Sequence, residues 1–116
     1  MSKVLGDYGE RLAEDYLVGK GHRIIGRNYN CRFGEVDLIT VYEDVLHFVE
    51  VKTVKSQTLH PLEQITPKKI GRLCRTMAFY LKAHKCVDAC VSLDALGITL
   101  YRGEEATFYY EENITL

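Results

Sequence analysis

The stretch that decides the fold reads Gly34-Glu35-Val36-Asp37 through Phe48-Val49-Glu50-Val51-Lys52. The two ends of this stretch predict two β-strands, and Tyr42-Glu43-Asp44-Val45 between them predicts a tight hairpin turn. Each strand carries an acidic residue between apolar neighbours, Asp37 in the first and Glu50 in the second. Because a buried charge is costly unless it is paired or holds a metal ion, these two acids are candidates for a functional site.

Strand geometry predicts how these side chains are arranged. Side chains alternate across a strand, so Glu50 and Lys52 project from the same face, and hairpin pairing places Asp37 roughly opposite Glu50. Two opposed carboxylates repel unless a cation lies between them, and hard oxygen ligands of this kind suit Mg²⁺ or Mn²⁺. The alternative is a pair of half-exposed strands with these charges on the solvent-facing side, which is a common arrangement.

The set formed by Asp37, Glu50 and Lys52 resembles the D…(E)xK core of the PD-(D/E)XK restriction-endonuclease-like nucleases. Over roughly residues 4–96 the chain also resembles the YraN-type family of small bacterial predicted endonucleases, which is related in fold to archaeal Holliday-junction resolvases. The residues that carry this resemblance are Gly9-Glu10, Ala13, Leu17, Gly21, Arg27-Asn28-Tyr29, Gly34-Glu35-Val36-Asp37-Leu38-Ile39, Phe48-Val49-Glu50-Val51-Lys52-Thr53 and Lys69.

The resemblance implies a metal-dependent endonuclease that hydrolyses phosphodiester bonds in DNA, with branched or otherwise structured DNA among its substrates. Asp37, Glu50 and the main-chain carbonyl of Val51 are expected to hold Mg²⁺ or Mn²⁺, and Lys52 is expected to steady the attacking water or the phosphate oxygens. A function of another class stays open, namely a nuclease-fold module that binds nucleic acid or a protein partner without cutting it.

Three further residues are candidates for accessory roles. Glu10 matches a glutamate that joins the metal site in junction-resolvase-like relatives, but it also has the spacing of a helix capping box with Asp7 and could simply be solvated. Glu35 shares a strand face with Asp37, so it is either an accessory acid or a solvated charge at the strand entry. Gln64 matches a glutamine that often follows the ExK motif in related nucleases.

Basic residues near the predicted site are candidates for DNA contacts. A basic face opposite an apolar helix stripe is usually just solvated, but this one comes directly after the predicted site and could contact phosphates. The expected DNA-contacting residues are Arg32, Lys68, Lys69, Arg72 and Arg75. A two-fold symmetric substrate would favour a homodimer, and no glycine-rich phosphate loop follows any strand, so no organic cofactor is expected.

The chain departs from the family pattern at two places. Family members often carry an arginine, an aromatic residue and an aspartate in the strand that here reads Ser92-Leu93-Asp94, so the aspartate is kept and the arginine is lost. An arginine that often follows the lysine-threonine pair is Val54 here, with Lys55 next. The first change puts in doubt an ion pair or a DNA contact, but neither change touches the predicted metal ligands.

Length and composition limit the class of protein. A chain of 116 residues with 47% apolar and 27% charged residues is typical of one globular domain spanning residues 1–116. No apolar run is long enough to span a membrane and the start does not read as a signal peptide, so a cytoplasmic location is expected. The four cysteines fit no zinc template. The net charge of −1 argues against tight non-specific DNA binding.

The remaining pattern predicts an α/β sandwich with a central mixed sheet and helices on its faces, the restriction-endonuclease-like fold that the resemblance implies. The predicted helices are residues 3–19 and a second that begins at Thr66-Pro67, whose residues suit a cap and a first turn. His22 is predicted at the surface, and residues 53–66 are read as a mobile loop. Further strands are predicted at residues 22–30, 87–96, 97–101 and 106–110. The first of them is expected to carry a bulge at Gly26, and a turn at Leu96-Gly97 is expected to separate the second from the third. The tail, residues 111–116, is predicted to be frayed.

Overall fold

The protein is described from a computed structural model, which covers residues 3–56 and 58–115. A central five-stranded sheet carries the strands in the order β1-β2-β3-β4-β5, and all neighbours are antiparallel except β3 and β4, which are parallel. The elements in chain order are α1 (Lys3–Gly19), β1 (Arg23–Cys31), β2 (Gly34–Tyr42), β3 (Val45–Val54), a 3₁₀ helix (Pro61–Gln64), α2 (Pro67–Ala83), β4 (Val91–Thr99) and β5 (Thr107–Glu111).

The two helices pack against opposite faces of this sheet. Successive residues of β3 show this, because they belong to two different hydrophobic cores. Val49 and Val51 join the core under α1, and Phe48 joins the core under α2. The predicted α/β sandwich with a mixed sheet flanked by helices is therefore confirmed. Within the described residues, neither helix combines the length and the apolar content that a membrane crossing requires.

The hairpin between β2 and β3 sets the geometry of the predicted site. Its two turn residues, Glu43 and Asp44, have φ values of 50° and 63°, and two such residues in succession are the signature of the type I′ turn that matches strand twist. The turn fixes a register in which Leu38 lies opposite Val49. The paired register ends there, and the next residue on each strand, Asp37 and Glu50, is close enough for a hydrogen bond between the two side chains.

Helix α1 lies unusually close to β3 at one point. A Cβ atom added to Gly9 would sit 2.0 Å from the hydroxyl oxygen of Thr53, so a residue with a side chain does not fit there without a backbone shift. This contact holds the first half of α1 against the end of β3 that carries Lys52. The residue after this glycine, Glu10, is therefore held beside the hairpin.

Helix α2 begins as the sequence predicts. The side chain of Thr66 accepts a hydrogen bond from the Lys69 N–H at 3.3 Å, and Pro67 occupies the first turn. The register of β1 and β2 shifts between Ile24 and Gly26, which confirms the predicted bulge.

The prediction of a turn at Leu96-Gly97 is wrong, because β4 runs without a break from Val91 to Thr99. The glycine serves a tertiary contact and not a turn: a Cβ atom at Gly97 would lie 2.6 Å from Cγ of Pro61. Pro61 is buried within the 3₁₀ helix, so the segment 53–66 that the sequence predicts as a loop also contains ordered structure. Residues 87–90 precede the strand and are not part of it.

The predictions for the tail and for His22 are also wrong. Glu111 belongs to β5, and the N–H of Ile114 donates to the Leu93 carbonyl at 2.8 Å, so the tail is bound to β4 up to the last residues described. Leu116 lies outside the described residues. His22 is only 5% exposed, because its ring stacks on Tyr42 and its Nδ1 lies 2.7 Å from the Thr40 hydroxyl.

Next to this histidine lies a group of buried polar residues that we name the Asp94 network: His47, Ser92, Asp94 and Tyr110. The Asp94 side chain is fully buried and accepts hydrogen bonds from His47 Nδ1 at 2.6 Å, from the Ser92 hydroxyl at 2.5 Å, from the Tyr110 hydroxyl and from the Asn113 N–H at 3.1 Å. This network joins β3, β4, β5 and the tail.

Candidate functional site

The predicted site residues meet in a cavity of about 360 Å³, which we name the carboxylate cavity. Side chains of α1, β2, β3 and α2 all reach it, so it lies where both helices meet the ends of the central strands. Its lining residues are Gly6, Glu10, Gly34, Glu35, Asp37, Glu50, Val51, Lys52, Thr53, Lys69, Arg72 and Leu73. The fold therefore brings together all three predicted catalytic residues and all four predicted metal ligands.

Asp37 and Glu50 form the centre of the cavity. The Val51 N–H donates a hydrogen bond to Asp37 Oδ2 at 2.8 Å, which fixes the orientation of this carboxyl group. The Glu50 side chain is 16% exposed, and its Oε2 lies 3.6 Å from Nζ of Lys52. The lysine ammonium therefore partly offsets the negative charge that the two carboxyl groups bring together.

The ionisation of Asp37 is strongly disfavoured. Burial, followed by repulsion from Glu50 and a hydrogen bond to it, raises the pKa of Asp37 to about 8, although the Val51 N–H acts in the opposite direction. This pair therefore retains a proton at neutral pH when no cation lies between the two groups. A bound cation would favour the release of that proton.

The oxygen donors of this cavity are of the kind that a hard divalent cation prefers. They include the carboxyl groups of Asp37 and Glu50, and the mutual repulsion of these two acids is a cost that a cation would relieve. Among residues 3–56 and 58–115, no three His, Cys, Asp or Glu side chains are arranged to hold one ion.

Glu10 and Glu35 are joined by a residue that the sequence does not single out for the site. The Asn28 side-chain amide donates to Glu10 at 3.0 Å and to Glu35 at 3.4 Å, from a backbone with φ of 48°. Burial, more than the nearby acids, raises the pKa of Glu10. The only sequence signal for Asn28 is its place in the Arg27-Asn28-Tyr29 run of the family pattern.

Two of the five predicted DNA-contacting residues line the carboxylate cavity and three do not. Lys69 and Arg72 project from α2 into the carboxylate cavity, whereas Lys68 and Arg75 are exposed elsewhere on that helix. The guanidinium of Arg32 lies 4.8 Å from the ring centre of Phe33 and does not line the cavity. Gln64 lines a neighbouring cavity that shares Lys52 and Thr53 with the first.

We expect the stability of the protein to fall as the pH rises, with Asp37 as a main cause. The folded pKa of about 8 exceeds the ordinary value of 3.8, so the stabilising effect of protonation is complete below the ordinary value and is lost as the pH rises through about 8. Asp37→Asn keeps an oxygen for the Val51 N–H and carries no charge. Above pH 8 it should be more stable than the parent, by an amount on the order of 2 kcal/mol after allowing for water in the cavity.

Urea unfolding of both proteins, followed from about pH 5 to pH 9 in the presence of a chelator, measures this difference. The advantage of Asp37→Asn should grow with pH across this range. A difference that stays constant with pH would show that the Asp37 carboxyl group titrates in the folded protein as it does in the unfolded chain.

Comparisons with known proteins match most of this chain to one protein family. The family described as "Uncharacterised protein family UPF0102" matches residues 9–98. A UPF0102 protein of Syntrophomonas wolfei subsp. wolfei is 40% identical over 90% of this chain and 91% of its own length. UPF0102 proteins of a Sulfurovum species and of Wolinella succinogenes are each 38% identical over the whole of this chain, and the matches cover 97% and 100% of those proteins. The match includes every residue that lines the carboxylate cavity except Gly6.

Proposed function

Because the chain belongs to the UPF0102 family and its predicted catalytic residues share one cavity, we propose that it is a Mg²⁺- or Mn²⁺-dependent endonuclease acting on DNA. The observation that carries the proposal is the buried pair of Asp37 and Glu50 with Lys52 beside it. A pair of acids held this close lowers stability, and such a cost is typical of a site kept for its chemistry.

Each of these residues has a distinct task in the proposed reaction. Asp37 and Glu50, with the carbonyl of Val51, would hold the cation, and the Val51 N–H keeps Asp37 in place. The cation, when bound, supplies a Lewis acid that lowers the pKa of a water molecule and neutralises charge on the phosphate. Lys52 lies close enough to Glu50 to orient that water or to contact a phosphate oxygen.

The position of α2 supports a nucleic-acid substrate. Lys69 and Arg72 line the side of the cavity formed by this helix, so a phosphodiester that reached the two acids would lie next to two further positive charges. Arg72 is held close to β2, since a Cβ atom at Gly34 would lie 3.1 Å from its Cδ. These contacts would position the DNA backbone without reading its sequence.

The second candidate function is a module that binds nucleic acid or a protein without cutting. It is favoured by one observation: within the described residues no group of three acidic, histidine or cysteine side chains is ready to hold an ion. The two candidates differ in metal binding, because a scaffold does not require a divalent cation at Asp37 and Glu50.

End-labelled DNAs test the proposal directly. Linear duplex, single-stranded, flapped and four-way DNAs would be incubated with the protein in Mg²⁺, in Mn²⁺ and in chelator. We expect internal cleavage of at least one of these DNAs in Mn²⁺ or Mg²⁺ and none in chelator. If the protein binds these DNAs but cuts none of them with either ion, the endonuclease proposal is wrong and the binding module is favoured.

A further inference from the structure

The carboxylate cavity is not isolated on the surface. It shares Lys52 and Thr53 with a second cavity of about 400 Å³, and this second cavity shares Leu5 and Lys55 with a third of about 580 Å³. We name the second and third cavities together the lateral trough. It leads from the two acids past the end of β3 to a groove between the start of α1 and the segment that follows β4.

The charged residues that line the lateral trough are all basic. Lys52, Lys55 and Arg102 line it, and no described carboxylate does. Asp7 on α1 lines neither cavity of the trough and lies 3.4 Å from the Lys3 ammonium. The trough is therefore suited to an anionic chain, unlike the adjoining carboxylate cavity, which is suited to a cation.

The far end of the trough also displays aromatic rings to solvent. Tyr8 on α1 is 44% exposed and Tyr101 after β4 is 37% exposed, and both line the third cavity. The Arg11 guanidinium lies 5.9 Å from the centre of the Tyr8 ring. Exposed rings beside cations are the elements with which proteins bind single-stranded nucleic acids, because unpaired bases stack on the rings and phosphates pair with the cations.

Other occupants fit this surface less well. A duplex keeps its bases stacked inside, so it would leave both tyrosine rings without a partner. A second copy of the chain, placed by a two-fold axis through the trough, would bring Lys55 and Arg102 towards the same residues of its partner, and like charges repel.

We propose that a single-stranded segment of the DNA substrate lies in the lateral trough, with its phosphates on Lys52 and Lys55 and its unpaired bases stacked on Tyr8 and Tyr101. This inference rests on the proposed function, since it extends the substrate out of the catalytic cavity. The protein should therefore prefer DNA in which a single strand adjoins the cut, such as a flap or an opened branch, over a continuous duplex.

Binding measured without cleavage tests the inference separately from the proposed function. Fluorescence anisotropy in chelator would compare an oligothymidine of roughly a dozen nucleotides, a length within the range of such sites, with a duplex of equal length. The variants are Tyr8→Ala/Tyr101→Ala and Tyr8→Phe/Tyr101→Phe. The matched control is Tyr109→Ala, because Tyr109 is 38% exposed and lines neither cavity of the trough.

We expect each alanine to weaken single-strand binding roughly tenfold, so that the double variant loses about a hundredfold, while duplex binding is unchanged. The phenylalanine pair and Tyr109→Ala should bind as the parent does. Single-strand binding at the parent's level in the double alanine variant would overturn the inference, as would an equal loss for the duplex or a loss in the phenylalanine pair. Sedimentation would measure the oligomeric state of the same variants. If the parent is a dimer that the double alanine variant dissociates while DNA binding stays intact, the inference is overturned and the trough is an interface between two copies of the chain.

The two proposals fail in different ways. If no DNA is cut by the parent but the tyrosine variants lose single-strand binding as expected, the endonuclease is wrong and the trough is correct. If the parent cuts and the alanine pair cuts and binds flapped and single-stranded DNA at the parent's level, the endonuclease is correct and the trough is wrong.

Discussion

Glu50→Gln should reduce DNA cleavage about a thousandfold, because it weakens the hold on the cation that would stabilise charge in the transition state, and losing such a group costs up to about that factor. The substitution keeps the shape of the side chain and removes the negative charge. It therefore removes one of the two carboxylates proposed to hold the cation. It also removes the main source of repulsion on Asp37, so the variant should be at least as stable as the parent.

Metal binding gives a second measurement that does not depend on activity. A ligand present at a hundred times its dissociation constant stabilises the folded state by about 2.7 kcal/mol, so saturating Mn²⁺ should raise the melting temperature of the parent. The same addition should leave Glu50→Gln nearly unchanged. Both effects come from one cause, the loss of a charged oxygen donor at the centre of the carboxylate cavity.

Glu63→Gln is the matched control for this experiment. Glu63 is exposed on the 3₁₀ helix and does not line the carboxylate cavity, so this variant should cut DNA and respond to Mn²⁺ as the parent does. Cleavage retained by Glu50→Gln at the parent's level would show that the acid has no part in the reaction. A loss of cleavage that accompanies a loss of folded structure would assign Glu50 a structural role instead.

Asp94→Ala should destabilise the protein by roughly 3 kcal/mol or more, because a buried donor left without its acceptor costs about 1–3 kcal/mol and this change affects several donors. The Asp94 carboxylate accepts four hydrogen bonds and is 0% exposed, so its removal leaves donors from three strands and the tail without an acceptor. His47, which is 5% exposed, would then be left without its acidic partner.

Urea unfolding measures this effect, with Asp88→Ala as the control because Asp88 is exposed in the turn before β4. The control should differ from the parent by less than about 0.5 kcal/mol. Asp94→Asn keeps the side-chain shape and one acceptor oxygen, so it should fall between the parent and Asp94→Ala. An Asp94→Ala protein as stable as the control variant would show that the network contributes nothing to stability.

Local sequence signals predicted much of this fold. The tight hairpin turn, the Thr66 cap and the apolar stripe of α2 each depend on residues close together in the chain, and each is present. The meeting of Asp37 and Glu50 could be predicted for the same reason, since one turn fixes the register of the neighbouring pair, Leu38 and Val49. The resemblance to a family then suggests one function for Asp37, Glu50 and Lys52 together, that of a metal-dependent nuclease site.

The errors arise where a distant residue decides the local structure. Gly97 reads as a turn residue, but its missing side chain makes room for Pro61, which lies more than thirty positions earlier in the chain. The tail reads as frayed, but its backbone N–H groups donate to Asp94 and Leu93. No periodicity in a short segment reports such contacts.

The Asp94 network was not predicted because polar residues are expected at the surface. His22 and His47 are both buried, and their partners come from other strands. The available signal was the aspartate of the Ser92-Leu93-Asp94 run, which the chain keeps where the family arginine is lost. Its polar side chain stands within a strand whose next residues are all buried, and it therefore needed partners of its own.

The one parallel pairing in the sheet has a consequence for the order of folding. Strands β1, β2 and β3 pair through short turns, whereas β4 reaches β3 only after the chain has closed a loop that contains all of α2. Local pairings form with a lower loss of chain entropy than distant ones, so the meander of β1 to β3 is expected to assemble first. The two acids then already lie side by side in the folding transition state. Above about pH 8, where Asp37 loses its proton and is repelled by Glu50, Glu50→Gln should therefore speed folding. The Asp94 network closes afterwards, so Asp94→Ala should mainly speed unfolding.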